Sequence, residues 1–209
     1  MFKVEHLSDT ITICCGDAMS NWPTGFVADT VVTDPPYGMS FQSNYRKIKH
    51  KEIANDTDYE ALLWAIGVPV NHSKYVFCRW DNLYTVPKPK SFITWVKNNW
   101  SMGDLKHEHA RQTETILYYP GDNHFFPDKR PTDVVNAKRT QNKLHPTQKP
   151  VDLMREIIKW TDGTVFDPFM GSGSTGVAAV AEGRSFVGIE INSDYYDTAR
   201  ARILEAINA

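Results

Sequence analysis

The sequence has few cysteines, no long apolar run and almost no net charge. Its three cysteines, Cys14, Cys15 and Cys78, have neither metal-ligand spacing nor the paired arrangement of a disulfide framework. No segment approaches the ~20 apolar residues that a membrane-spanning helix needs, and the N-terminus lacks the basic and then apolar pattern of a signal peptide. These absences argue against a disulfide-rich secreted scaffold and against a membrane protein, and they predict a cytoplasmic location.

The net charge of −2 conceals two basic clusters. One lies between residues 46 and 51, and the other spans residues 129–149 with Asp133 as its only acid. Such clusters either remain solvated or follow the phosphates of a nucleic acid, and both interpretations stay open. The candidate phosphate contacts in these clusters are Arg46, Lys47, Lys49, Lys138 and Arg139.

Short β-branched runs alternate with segments of helical periodicity along most of the chain. The pattern predicts strands at 10–14, 30–33, 74–78, 91–96, 113–119, 164–167 and 185–190, and helices at 58–70, 80–86, 147–160, 173–182 and 192–207. Alternation of this kind is typical of a mostly parallel sheet with helices on both faces. Because no obvious helix separates the fourth strand from the fifth, we expect antiparallel pairing there.

The length of the chain suits a single domain, residues 1–209, with one excursion from its core. Residues 120–146 form this excursion, because they contain few aliphatic side chains and many prolines, charges and aromatics. Residues 39–57 are polar and basic with little periodicity. A loop of that length in a compact chain is typically a lid, a binding loop or disordered, so we predict a mobile loop.

The first candidate site follows the β-branched run at 30–33. Asp34 ends this strand, and Pro35, Pro36 and Tyr37 come directly after it. The prolines lack N–H groups and stop strand pairing, but their carbonyl groups remain free to accept hydrogen bonds. A carboxylate, a free carbonyl and an aromatic ring at the carboxyl end of a strand would suit a planar group that carries an amine. The alternative is a strand that ends in an ordinary proline turn.

The second candidate site is a glycine-rich turn between a strand and a helix. Gly171, Gly173 and Gly176 match the nucleotide-binding fingerprint, and Glu190 ends the following strand. The glycines allow close approach of a ligand, the helix N-terminus favours an anion, and the acid can bind two ribose hydroxyls. This order predicts a nucleoside cofactor, and the alternative is a glycine turn with a surface glutamate.

Chain order distinguishes a nicotinamide cofactor from S-adenosylmethionine. In a dinucleotide fold the glycine loop comes first and enough chain follows for a second half of the sheet. Here only one strand and one helix remain after the helix of the glycine loop, so the other strands must come from earlier in the sequence. The rotated order predicts that Asp34 and the glycine loop share one carboxyl edge, where a cofactor and a planar amine can meet.

Four motifs in this order resemble the beta group of DNA amino-methyltransferases, whose motif order is circularly permuted. They are Asp34–Tyr37, His145–Pro150, Asp167–Gly176 and Val187–Glu190, and Trp95–Asn99 is similar to the middle strand region of that family. The resemblance covers nearly the whole chain. It implies an α/β, Rossmann-like methyltransferase fold with a mostly parallel, seven-stranded sheet, S-adenosylmethionine as cofactor, and methylation of an exocyclic amine in double-stranded DNA, in a bacterial or phage-infected cell.

The resemblance also implies roles for individual residues. Asp34 and the Pro35 carbonyl would accept hydrogen bonds from the target amine, and Tyr37 would stack on the flipped base. Thr147 and Lys149 would hold the carboxylate of the cofactor. In the remaining cofactor-binding set, Asp17 and Ala18 would lie at the adenine and Glu190 at the ribose. Phe169, Gly171 and Gly173 would surround the methionine part, with Asp167 near its ammonium group, and Asp34 and Ser172 complete the set.

Several alternatives remain open at this point. Related cytosine-N4 enzymes more often have serine where this chain has Asp34, so adenine N6 is the favoured target and cytosine N4 the alternative. RNA or a protein glutamine as substrate, a non-catalytic nucleic-acid-binding subunit and an NAD-dependent oxidoreductase are weighed as further classes. No metal is predicted, because His107 and His109 lack further ligands. A homodimer is left open, and the short excursion predicts a short DNA target or relaxed specificity.

Overall fold

The computed structural model describes residues 2–21, 25–37, 59–100, 106–140 and 148–209. Within these ranges the strands are β1 (Lys3–His6), β2 (Ile11–Cys15), β3 (Ala28–Thr33), β4 (Val70–Cys78), β5 (Ser91–Val96), β6 (Thr113–Pro120), β7 (Val134–Asn136), β8 (Val165–Asp167) and β9 (Phe186–Glu190). The helices are α1 (Ala18–Asn21), α2 (Glu60–Gly67), α3 (Val151–Lys159), α4 (Ser174–Ala181) and α5 (Ser193–Ile207), with a 3₁₀ turn at Trp80–Asn82.

All the strands of the described ranges form one sheet in the order β1-β2-β9-β8-β3-β4-β6-β5-β7. The five strands from β2 to β4 are parallel to one another. Strand β6 is antiparallel to both β4 and β5, which confirms the predicted mostly parallel α/β sheet with an antiparallel edge. The rotated chain order is confirmed as well, since β8 lies between β3 and β9.

The seven predicted strands are present, and two short edge strands extend the sheet to nine in the described part of the chain. Strand β1 pairs antiparallel with β2, and three of the four residues of β1 are exposed. Strand β7 pairs parallel with β5 inside the excursion, so residues 120–146 do not lie wholly outside the sheet. Sequence periodicity missed both strands because strands of three or four residues are too short to show an alternation, and at most one residue of each, Val135 in β7, is buried.

Burial on both faces explains why the central strands are continuous apolar runs. Val31 and Val32 are both fully buried, yet they pack into different clusters, as adjacent residues of a strand must. On one face Val32 joins the cluster that contains the buried stripes of α3, α4 and α5. On the opposite face Val76, which pairs with Thr33, packs with Leu62 and Ile66 of α2. Helices therefore cover both faces, as predicted.

Helix boundaries differ from the predictions where proline or a short turn intervenes. Pro150 was predicted early inside the third helix, but it precedes α3 as an extended residue with ψ of 136°. The segment predicted as a helix over 80–86 contains a 3₁₀ turn of three residues. The first residue of the helix predicted at 58–70, the predicted mobile loop at 39–57, and Arg46, Lys47, Lys49 and Thr147 lie outside the described residues. Among the described helices, none has the length and apolar character to span a bilayer.

Candidate active site

The carboxyl ends of β2, β9, β8 and β3 lie side by side along one edge of the sheet, since these strands are parallel. Each strand has at this edge an acid that the sequence marked as functional. Glu190 and Asp167 are the last residues of β9 and β8, and Asp17 and Asp34 come shortly after β2 and β3. The two candidate sites are in direct contact, because the Thr33 hydroxyl at the end of β3 donates to Asp167 Oδ1 at 2.7 Å. The edge is therefore one continuous site.

Asp167 holds the start of the glycine loop in place. Its carboxylate is 3% exposed and accepts hydrogen bonds from the Thr33 and Thr175 hydroxyls, at 2.7 and 2.5 Å, and from the Phe169 N–H at 3.1 Å. Burial raises the pKa of this carboxyl group to about 6, because the neutral donors offset only part of the desolvation. Asp167 thus ties β3, β8 and the first turn of α4 together.

The glycine loop combines a tight turn with close helix packing. Gly173 immediately precedes α4 and has a φ of 80°, in the left-handed region that favours glycine. At Gly176 an added Cβ would lie 2.5 Å from Ile203 Cδ1 of α5 and 2.9 Å from Phe186 Cε1, so a larger residue would force these side chains to move. Phe169 is half-buried and forms an edge-to-face contact with Trp64 of α2, with ring centroids 5.9 Å apart.

Glu190 lies directly beside this loop, as the fingerprint predicts. One carboxylate oxygen accepts from the Gly171 N–H at 2.9 Å, and the other accepts from the Asn192 N–H at 2.8 Å. The side chain is 8% exposed, and burial raises its pKa to about 7. Each oxygen has a further lone pair, so the carboxylate can still accept from two ribose hydroxyls without losing either backbone partner.

The predicted adenine-binding pair adjoins Glu190. The Gly16 N–H donates to the Glu190 carbonyl at 2.9 Å and brings the turn after β2 to the end of β9. Asp17 accepts from the Met19 N–H at 3.0 Å and from the Ser20 hydroxyl at 2.5 Å, so it stabilises the first turn of α1, in which Ala18 is buried. Ser172 is also buried, and its carbonyl accepts from the guanidinium group of Arg202.

The residues that follow β3 form a second, charged part of the edge. Asp34 is half-buried by exposure, and its two oxygens accept hydrogen bonds from the Tyr37 hydroxyl and from the Lys149 ammonium group. The Tyr37 backbone is fixed separately, because the side-chain amide of Asn82 donates to its carbonyl at 3.1 Å. Pro35 between them is buried and Pro36 is half-buried.

Lys149 forms an ion pair with the candidate catalytic carboxylate, Asp34. Its side chain is 7% exposed, and its ammonium group lies 4.8 Å from the centroid of the Phe77 ring. The same ammonium group is 3.5 Å from Glu114 Oε2 on β6. The role that the resemblance implies for Lys149, binding of the cofactor carboxylate, stays a prediction, since here its described partners are two carboxylates of the protein.

Glu114, Lys97 and Asn82 are site residues that sequence reasoning missed. Glu114 Oε1 is 2.8 Å from Lys97 Nζ, so this carboxylate connects two buried ammonium groups. The sequence signal for Glu114 was a charged residue at the start of the apolar run 113–119. This signal did not reveal a site residue, because only the antiparallel direction of β6 brings Glu114 to the edge where Asp34 lies.

Charges in this cluster shift one another's pKa in opposite directions. Burial raises the pKa of Asp34, and the neighbouring Lys149 and Tyr37 counteract part of that rise. Burial would likewise raise the pKa of Glu114, but Lys149 and Lys97 hold it below its usual value. Burial would lower the pKa of Lys149, yet Asp34 and Glu114 raise it. Lys149 therefore stays protonated at neutral pH.

Two of the predicted phosphate contacts lie within the described residues and reach this edge. Strand β7 is parallel to β5, so Lys138 and Arg139 emerge at the carboxyl end of both strands. Lys138 is exposed and Arg139 is half-buried, with the Arg139 N–H donating to Asn98 Oδ1 at 2.9 Å. The Trp95 indole N–H donates to the Ala137 carbonyl at 2.9 Å and fixes the start of this segment.

The permuted sheet and the glycine loop with its buried acids define the class of Rossmann-like methyltransferases. The crystal structure of the M1.HpyAVI–SAM complex has the same fold, with a TM-score of 0.70 and 28% identity over 92% of this chain and 99% of that one. The family model for N6/N4 DNA methylases matches residues 28–201, and the chain belongs to that DNA methylase family. Family and complex together support S-adenosylmethionine as the cofactor, as predicted.

Adenine and cytosine both occur as the target base in the names of similar proteins. The DNA adenine methyltransferase YhdJ of Escherichia coli (strain K12) is 48% identical over 62 residues, which cover 28% of this chain and 21% of that protein. The cytosine-N4-specific PvuII DNA methyltransferase shares the fold, with a TM-score of 0.66 and 16% identity, covering 100% of this chain and 95% of that one. Membership of the family thus does not distinguish adenine N6 from cytosine N4 as the methylated position.

Proposed function

We propose that this chain transfers a methyl group to the N6 amine of an adenine that is flipped out of double-stranded DNA. The observation that carries the proposal is the hydrogen bond between Thr33 and Asp167, at 2.7 Å. This hydrogen bond joins β3, which Asp34 directly follows, to β8, which leads into the glycine loop. An amine held at Asp34 would therefore lie next to a cofactor held at that loop.

The chemical problem is that the lone pair of an aromatic amine is delocalised into its ring. Two acceptors on the amine hydrogens, the Asp34 carboxylate and the Pro35 carbonyl, draw the nitrogen towards tetrahedral geometry and stabilise its developing positive charge. When bound, S-adenosylmethionine supplies an activated methyl group. The protein therefore needs to align the amine and to accept hydrogen bonds from its N–H groups. No covalent intermediate with the protein is needed.

The cysteine near the site does not suggest a nucleophilic alternative. Burial, together with the charges of Asp81 and Asp34, raises the pKa of Cys78 to about 12. A thiol with such a pKa remains protonated at neutral pH and is a poor nucleophile. Direct transfer to the amine is the mechanism that we adopt.

DNA binding would use both the aromatic and the basic residues of this edge. Tyr37 would release its hydroxyl from Asp34 and stack on the flipped base, since a base inside the duplex cannot reach the site. Lys138 and Arg139 would contact phosphates, as would the basic segment that contains Arg46, Lys47 and Lys49. We place this activity in the cytoplasm, and we propose that the short excursion at 120–146 recognises a short target.

Adenine is favoured over cytosine by the residue that opens the tetrapeptide. The chain has Asp34 where cytosine-N4 enzymes more often have serine, and a matching relative is named as an adenine methyltransferase. The structural likeness to the cytosine-N4 enzyme, at 16% identity, supports the fold alone. Cytosine N4 is the second outcome of the experiment that follows.

The test is to incubate the protein with unmethylated double-stranded DNA and S-adenosylmethionine, digest the DNA to nucleosides and identify the methylated one. We expect N6-methyladenine. N4-methylcytosine would replace the adenine proposal, and the absence of any methylated nucleoside would overturn the proposed function. Sequencing of the methylated DNA tests the recognition region, and a single target of six or more base pairs would contradict a short target.

A further inference from the structure

Both oxygens of the candidate catalytic carboxylate carry hydrogen-bond donors in this structure. The Tyr37 hydroxyl donates to Asp34 Oδ1, and the Lys149 ammonium group donates to Oδ2. An amine bound for methylation would present the same kind of donor, an N–H group, to the same carboxylate. Each oxygen keeps a second lone pair, but the Asp34 side chain is only 15% exposed, so the ammonium group of Lys149 competes with the target amine for this carboxylate.

A second acceptor for this ammonium group is already in place. Glu114 Oε2 lies 3.5 Å from Lys149 Nζ, just beyond a strong hydrogen bond. The other oxygen of Glu114 is fixed at 2.8 Å from Lys97 Nζ. Glu114 belongs to β6, where its neighbour Thr115 pairs with Cys78 at the end of β4. Its backbone is thus held by the sheet, whereas Lys149 reaches it through a flexible four-carbon side chain.

The charges of the cluster remain balanced wherever the ammonium group lies between the two carboxylates. Among the described residues the cluster has two carboxylates, Asp34 and Glu114, and two ammonium groups, those of Lys97 and Lys149. A buried charge left without a partner is costly, which normally prevents such a group from moving. Here a short shift moves the ammonium group from one carboxylate to the other, and the N–H groups of the entering amine replace it as donors to Asp34.

We propose that Lys149 is a two-position switch that blocks Asp34 in the absence of a target base and moves onto Glu114 when the amine enters. Glu114 is then a positioning residue for the reaction, because it acts on the amine through Lys149. The inference rests on the proposed function and adds to it a resting state that the target base must displace. Asp34 stays ionised in both states, since the ammonium group never leaves its vicinity.

The charged groups around Asp34 determine how the switch responds to pH. Lys149 and Tyr37 lower the pKa of Asp34, whereas the negative charge of Glu114 raises it. Asp167 and Cys78 also lie close enough to sense the charge of Asp34. Replacement of Glu114 by a neutral side chain therefore lowers the pKa of Asp34 and leaves Lys149 fixed on that carboxylate.

The experiment compares single-turnover methyl transfer to DNA by the wild type and by Glu114→Gln, with the rate measured as a function of pH. We expect a loss of about tenfold or more, corresponding to one charged hydrogen bond, with unchanged affinities for S-adenosylmethionine and DNA. The acidic limb of the pH–rate profile should move to lower pH. The movement of the limb reports the lost negative charge beside Asp34, and the lower rate on the plateau of the profile reports the acceptor that Lys149 has lost. A purely structural role of Glu114 would instead lower thermal stability together with the rate, and its effect would add to that of Lys149→Met.

Two further variants complete the design. Glu182→Gln removes the same charge from an ion pair with Arg155, 2.6 Å apart and outside the site, and should leave the profile unchanged. In a Lys149→Met background the Glu114→Gln change should have almost no further effect on the rate, because the two residues act through one contact. If Glu114→Gln fails to fold, Glu114→Asp keeps the charge, withdraws it from Lys149 and should reduce the rate by a smaller factor.

The outcomes separate the switch from the proposed function. Wild-type activity, a slow Glu114→Gln with its limb at lower pH, and non-additivity with Lys149→Met would support the switch. Wild-type activity together with an unaffected Glu114→Gln, or with fully additive losses, would overturn the switch alone. A wild type that does not methylate DNA would overturn both.

Discussion

Carboxylates lie in two adjoining regions of this edge, and their hydrogen-bond partners differ between the two regions. Asp167 and Glu190, at the glycine loop, accept hydrogen bonds from hydroxyls and backbone N–H groups. Asp34, after the carboxyl end of β3, and Glu114, near the amino end of β6, contact ammonium groups. Backbone and hydroxyl donors hold a fixed frame, whereas ion pairs with long lysines can exchange partners. The first region is thus suited to holding a cofactor and the second to admitting a substrate.

The largest expected effect tests the charged region. Asp34→Asn keeps the shape of the side chain but removes the negative charge that stabilises the methylated amine. We expect single-turnover methyl transfer to fall by about 10³-fold, the upper end of the range for loss of one preorganised oxyanion-hole donor in other enzymes. Transfer of a labelled methyl group to DNA measures it. A variant with more than a tenth of the wild-type rate would contradict the role of Asp34.

Lys149→Met removes the ammonium group from the same region. Asp34 then keeps its burial without its cation, so its pKa rises and less of it is ionised at neutral pH. The acidic limb of the pH–rate profile should move to higher pH, with a loss at pH 7 on the order of tenfold. Lys159→Met is the matched control, since Lys159 is exposed on α3 and lies 4.0 Å from Glu156. An unshifted limb for Lys149→Met would show that the lysine does not set the ionisation of Asp34.

Glu190→Gln tests the fixed region through cofactor binding. The amide loses one acceptor oxygen and the charge that a ribose hydroxyl would bind. We expect the dissociation constant for S-adenosylmethionine to rise by about tenfold or more, the value of a hydrogen bond to a charged group. Isothermal titration calorimetry measures this, and methyl transfer at saturating cofactor should remain. Unchanged affinity would exclude Glu190 from the cofactor site.

The raised pKa of Glu190 also predicts how stability depends on pH. Because its folded-state pKa of about 7 exceeds the unfolded value of 4.5, the native state binds the proton more tightly and stability falls as pH rises through 7. The contribution is at most about 3 kcal/mol, or several degrees of melting temperature. Between pH 5 and 8 the melting temperature of Glu190→Gln should therefore fall less than that of the wild type. Parallel melting curves would contradict the raised pKa.

The smallest effect concerns packing beneath the glycine loop. An added methyl group at Gly176 would meet Ile203 Cδ1 at 2.5 Å, so Gly176→Ala should destabilise the protein by about 1–3 kcal/mol. At Gly67 of α2 an added Cβ meets no atom within 4 Å, and Gly67→Ala should be neutral or slightly stabilising. Chemical denaturation of the pair measures the difference. Equal stabilities would show that α4 and α5 are not closely packed at this point.

Sequence reasoning predicted the fixed region better than the charged one for physical reasons. Glycine spacing, a strand before it and an acid after the next strand are local patterns, and Glu190 indeed contacts Gly171. The rotated order then required Asp34 to share that edge. The contact between Lys149 and Asp34 spans 115 residues, and no periodicity or spacing encodes it. Lys149 was instead expected at the cofactor carboxylate, a role inferred from its motif alone.

Glu114 was missed for a related reason. In the sequence it opens an apolar run and has the appearance of a strand residue at a solvent-exposed end. Only the antiparallel course of β6 places it opposite Trp95 and next to the end of β4. Its importance depends on two lysines from distant segments, so the sequence provided the strand but not the charge cluster.

The central claim is that Asp34 acts on the amine, although the resemblance also implies a place for it in the cofactor-binding set. Calorimetric titration of folded Asp34→Asn with S-adenosylmethionine tests it most directly, with the wild type and Glu190→Gln titrated in parallel. We predict that Asp34→Asn binds the cofactor as tightly as the wild type while failing to methylate DNA, and that Glu190→Gln binds it more weakly. Loss of cofactor binding in the folded Asp34→Asn protein would contradict the account.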